Sequence, residues 1–112
     1  MNNRIKESDW KIYKELRPLA LKRYCEQVMN DVDKIVHKDE DNAHERYIEM
    51  YKIVREGDKK LARMFDRFSR SKALDQLVMY YDYGLLEDEE ISQLSSETRE
   101  RIHATLKFWN EL

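Results

Sequence analysis

From residue 21 to residue 36, Leu21, Tyr24, Cys25, Val28, Val32, Ile35 and Val36 form one apolar stripe, in steps of one, three or four residues. Only an α-helix gathers such positions on one face. The rhythm returns at Tyr47, Met50, Tyr51, Ile53 and Val54, and again at Ile102, Leu106 and Trp109, and no stretch alternates apolar and polar as a half-buried strand does. Two glycines and one proline in 112 residues leave little material for tight turns. The chain is therefore expected to be all-α, with residues 1–112 forming a single compact bundle of four to five helices. Charged residues make up 39% of it, well above the roughly 25% usual for globular domains, which suits amphipathic helices with solvated outer faces. Twelve aromatic residues argue against disorder.

Local signals place the helix ends. Ser8 or Asp9 can cap a first helix, which Pro18 should kink or break because proline lacks a backbone donor and crowds the preceding turn. Periodicity fails over residues 38–41, and Asn42, three residues before Glu45, marks the next start. One long helix over about 43–69 is expected to pass through Gly57, where the missing side chain would mark a close helix crossing. Ser71 can cap a helix over 72–83 that ends at Gly84, with Leu85 making the accompanying apolar contact. A short helical turn near Asp88 to Leu94 and a last helix capped by Ser95 or Ser96 complete the reading.

Three segments, ELRPLALKRYCEQV, AHERYIEMYKIV and YGLLEDEEISQLSSETRERI, resemble a small family of bacterial cytoplasmic all-helical proteins that has no established function. The resemblance spans most of the chain, implies the same helical fold and bacterial origin, and brings no catalytic motif with it.

Several function classes are weighed by particular residues. A net charge of -2 gives no global basic field for nucleic acid. One cysteine, Cys25, precludes an internal disulfide, and its place on an apolar stripe reads as an inert buried thiol. MNNRIKESDW has no apolar core of a signal peptide, and the longest clean apolar run, residues 77–81, is far short of a membrane span, so a cytoplasmic location is expected. Asp41 with His44, and Glu100 with His103, have the carboxylate-x-x-His spacing of dinuclear helical sites. The carboxylate-rich composition makes such pairs common, and Asp41 and His37 fit the electrostatics of helix ends, so neither metal nor other cofactor is expected.

Two surfaces remain. Lys59, Lys60, Arg63, Arg67 and Arg70 form a basic stretch, with Arg63, Arg67 and Arg70 spaced to share one helix face that could contact phosphates. Asp75 and Asp82 on the following helix would repel them, and the acidic segment over 82–100 would compete for them. The segment over 72–83, KALDQLVMYYDY, is apolar nearly all round. Tyr80 and Tyr83, with Ala73 and Gln76 on the same side, are candidates for an interface, leaving Leu74, Leu77, Val78 and Tyr81 for the core. The leading expectation is a non-enzymatic cytoplasmic interaction module that self-associates as a dimer or binds another protein. A nucleic-acid-associated regulator and a carboxylate–histidine metalloprotein are the alternatives.

Overall fold

The computed structural model describes residues 4–39 and 42–112. Its elements are α1 (Glu7–Val36), α2 (Ala43–Phe65), α3 (Ala73–Asp82), the single turn α4 (Asp88–Ile91) and α5 (Ser96–Asn110), with no strand among the described residues. α1 and α2 form an antiparallel hairpin, α3 packs against both, and α5 packs on α3.

Of the two outcomes a proline allows, α1 is not broken: the helix runs through Pro18. Pro18 is exposed, while Leu16 and Ala20 on either side are buried in the core. Packing on both flanks outweighs the roughly 3 kcal/mol that proline costs inside a helix. α1, at 30 residues, is thus the longest helix. The expected helix over 43–69 is continuous through Gly57 but stops at Phe65.

The early stop of α2 has a tertiary cause. Its last carbonyls are taken by side chains from other helices: the Tyr80 hydroxyl donates to the Met64 carbonyl at 3.0 Å, and the Arg17 guanidinium to the Phe65 carbonyl at 2.5 Å. Just beyond, the Gln76 amide donates to the Arg67 carbonyl at 2.8 Å. The chain then turns and lays Phe68 against Trp10, with ring centroids 5.2 Å apart. These bonds meet the need of terminal carbonyls for partners without another turn of helix.

Helix ends set by local chemistry fall where the sequence places them. Asn42 accepts from the Glu45 N–H at 3.1 Å, and the Ser95 hydroxyl accepts from the Thr98 N–H at 3.3 Å. Gly84, at φ 72°, closes α3 in a Schellman motif: the Gly84 N–H reaches the Tyr81 carbonyl, the Leu85 N–H reaches the Tyr80 carbonyl, and Leu85 is buried. Two expected caps differ. Lys6, whose side chain makes no capping bond, precedes α1, and Lys72 rather than Ser71 precedes α3. Asp9 is used otherwise: it is buried and accepts three hydrogen bonds from Ser95 and Thr98 at the start of α5.

The hairpin outreaches the helices that cover it. The radius of gyration is 16.9 Å, against about 13 Å for a compact domain of this length. The buried core joins the first half of α1 and the last turns of α2 to α3, α4 and α5.

Candidate docking surface

The last buried side chain in α1 is Tyr24, and the first buried residue in α2 is Gly57. These two meet at the crossing of the helices, where the Tyr24 hydroxyl donates to the Gly57 carbonyl at 2.8 Å. A side chain at Gly57 would lie 3.3 Å from the Val28 methyl, which is why the two backbones can come so close. Beyond that crossing, residues 25–36 and 43–56 form an arm of roughly 20 Å in which no described side chain is buried.

The arm nevertheless carries full apolar stripes. On α1, Cys25, Met29, Val32 and Val36 recur at helical spacing, and on α2, Tyr47, Tyr51 and Val54 do. Tyr47 is 63% exposed, Met29 60% and Tyr51 58%. Between the helices runs an apolar groove of about 370 Å³, lined by Tyr24, Cys25, Val28, Met29, Val32, Val54, Gly57, Asp58 and Leu61. No residue of α3, α4 or α5 lines it. α3 lies across the other face of the hairpin, where Tyr83 shares a recess with Gln27, Asp31, Ile53 and Lys60. One face of α1–α2 is therefore covered by the rest of the chain at its base, and the opposite face is bare apolar surface.

The expected interface on α3 is displaced by this arrangement. Tyr80, Ala73 and Gln76 are buried within the single chain, so they offer no surface to a second one. Tyr80 stacks on Phe65 at 4.8 Å, and Gln76 accepts a hydrogen bond from the buried Tyr13 hydroxyl. Burial pushes the Tyr80 hydroxyl far above the ordinary tyrosine range, with the adjacent Tyr13 adding to the effect. Tyr83 alone stays partly exposed, beneath the Lys60 ammonium at 5.8 Å. Nearly the whole circumference of α3 is apolar because it is the central helix, wedged between the hairpin and α5.

The basic stretch does not form one face either. α2 ends before Arg67 and Arg70, and the Arg70 guanidinium donates to the Ile5 carbonyl at 2.8 Å, where it serves the fold. Lys59 pairs with Glu56 at 3.4 Å. Arg63 and Arg67 are exposed, but Asp66 and Asp75 share their recess. Of the acidic segment, Glu90 is paired with Arg23 at 2.6 Å, which also donates to the Leu85 carbonyl.

The histidines stand apart. His44 is exposed at the start of α2, and Asp41, its spacing partner, lies outside the described residues. His103 is on α5, edge-on to the Tyr81 ring at 5.7 Å. Among the described residues no three His, Cys, Asp or Glu side chains gather in a group that could hold a metal ion. Cys25 is not core as its stripe suggested; it is half-buried in the wall of the arm's groove. No helix among the described residues is long and apolar enough to cross a membrane.

The chain matches no protein-family model, no curated protein and no solved structure. Its chemistry must be read from its own surface, and the most distinctive part of that surface is the arm. Sequence periodicity takes the same residues for core because it reports a stripe and not what covers it. A length argument could have flagged them: helices of 30 and 23 residues cannot both be covered by helices of 10 and 15.

Proposed function

We propose that this protein is a non-enzymatic helical docking module of the cytoplasm, which binds a protein partner on the apolar face of the α1–α2 arm. The observation that carries the reading is that neither α1 beyond Tyr24 nor α2 before Gly57 buries a described side chain, although both are apolar on one face. Monomeric soluble proteins rarely leave an apolar patch of more than a few hundred Å² bare unless it binds something. The face offers area and shape and presents no convergent polar groups, which suits association better than chemistry. The half-exposed Cys25 thiol is compatible with a reducing compartment, and the resemblance to bacterial cytoplasmic helical proteins supports the same setting.

Photo-crosslinking in living cells tests the reading. A crosslinking residue at position 29 or 51, on the face, should give discrete protein adducts. The same residue at exposed position 52, on the outer side of α2, should give few or none. Equal yields at all three positions, or none at positions 29 and 51, would overturn it.

A further inference from the structure

We infer that the occupant of the arm's apolar face is a second copy of this chain, related by a two-fold axis along the arm, so that two hairpins close into a four-helix bundle. The inference rests on the docking reading above and adds the identity of the partner.

Area is the first argument. The chain exposes 7795 Å², whereas a compact monomer of 13.7 kDa exposes about 6,600 Å². The excess of about 1,200 Å² is larger than the roughly 800 Å² that each partner contributes to a standard interface. Within the arm, Met29, Tyr47, Tyr51 and Val54 stand exposed.

Symmetry and charge are the second. A closed dimer requires a face that complements itself. On α1 the outer border of the face carries Glu26, and on α2 the outer border carries Arg55. A two-fold axis parallel to the helices sets α1 of each chain against α2 of its copy, antiparallel. Tyr24 lies level with Gly57 at the crossing, so Glu26 then comes level with Arg55 of the copy, twice over. α3 packs on the opposite side of the hairpin, and no residue beyond α2 lines the groove, so neither body stands between the two arms. Two hairpins facing each other give the antiparallel bundle that interdigitating apolar stripes favour.

Sedimentation or light scattering decides, together with the reactivity of Cys25, which lies in the groove wall. At about 100 µM, well above the micromolar Kd of even a weak interface of this size, the protein should have twice the chain mass. The double variant Met29→Glu with Tyr51→Glu should have the single-chain mass and an unchanged helical circular dichroism spectrum, because both side chains are exposed within the chain. Alkylation of Cys25 in the unmodified protein should slow at least about tenfold between dilute and concentrated samples, as a dimer of rising occupancy buries the groove. That measurement does not depend on a variant folding. A single-chain mass at the higher concentration, an alkylation rate equal in samples that sediment as single chains and as dimers, or a dimer that persists in the double variant would each overturn the inference. Adducts at positions 29 and 51 to a different protein, with the purified chain monomeric, would leave the docking reading standing while removing self-association.

Discussion

Asp9, in the first turn of α1, is bonded at both carboxylate oxygens to Ser95, the N-cap of α5: the Ser95 N–H donates to Oδ1 at 2.7 Å and the Ser95 hydroxyl to Oδ2 at 2.6 Å. The Thr98 hydroxyl adds a third bond, to Oδ2, at 2.7 Å. One buried charge therefore sits at the N-termini of two helices, where both dipoles favour it. It ties the first helix to the last across 86 residues of sequence.

Acid should loosen this tie. Burial raises the Asp9 pKa, but the bonds from Ser95 and Thr98, with the Lys6 charge, outweigh it and hold the carboxyl below its ordinary value of 3.8. A carboxyl whose pKa is lower in the folded state stabilises fully above the unfolded value, and that contribution disappears as pH falls through the folded value. The protein should therefore lose stability below about pH 4. Asp9→Asn, which keeps the shape but removes the charge and one acceptor, should cost about 2–4 kcal/mol at neutral pH and flatten that acid limb, as followed by urea unfolding against pH.

Tyr80 separates core from interface. A charge at a buried position has no partner there, so Tyr80→Glu should unfold the protein as thoroughly as Leu77→Glu. Tyr80→Phe, which removes the hydroxyl and its bond to the Met64 carbonyl, should leave a folded protein weaker by about 1–2 kcal/mol. Circular dichroism with denaturant titration reads both. A folded Tyr80→Glu chain would return α3 to the surface.

The two glycines should differ in their response to alanine. Gly84 needs its positive φ and has nothing within 4 Å of an added Cβ, so Gly84→Ala should cost about 1–2 kcal/mol through backbone strain alone. Gly57 is helical, and its added methyl would press on Val28, which borders the open groove and has room to yield. The gain in helix propensity, about 1 kcal/mol, should offset that contact and leave Gly57→Ala within about 0.5 kcal/mol of the parent. Gly57→Leu has no such escape and should cost about 2–3 kcal/mol by forcing α1 and α2 apart. Thermal melts of the three variants check the ordering.

Arg23 should govern the segment after α3. Its guanidinium joins α1 to the Leu85 carbonyl at 2.8 Å and to Glu90 at 2.6 Å, and Glu90 itself accepts from the Glu87 N–H at 2.8 Å as the closing half of the α4 capping box. Arg23→Ala should cost about 1–2 kcal/mol. It should also speed amide hydrogen exchange over 85–94 more than elsewhere, because that stretch would lose its anchor to α1.

Whatever depends on neighbours a few residues away is legible along the chain. Helical spacing of Leu21 to Val36 required a helix. Asn42, Ser95 and the Gly84–Leu85 pair marked helix ends because a cap completes its bonds within one turn. The continuity of α2 through Gly57 followed from unbroken apolar phase. Tertiary structure decided everything that needed a partner far along the chain. Pro18 is carried inside α1 because Leu16 and Ala20 are packed, and α2 stops at Phe65 because Tyr80 and Arg17 take its carbonyls. Asp9 turned from a local cap into a link to Ser95, and α3, apolar almost all round, became the centre of the core. The arm shows the same division most clearly. Apolar periodicity makes a face that gains by leaving water, yet whether the chain covers that face depends on the lengths and docking of distant helices, and here α3 and α5 reach only one side and one end of the hairpin.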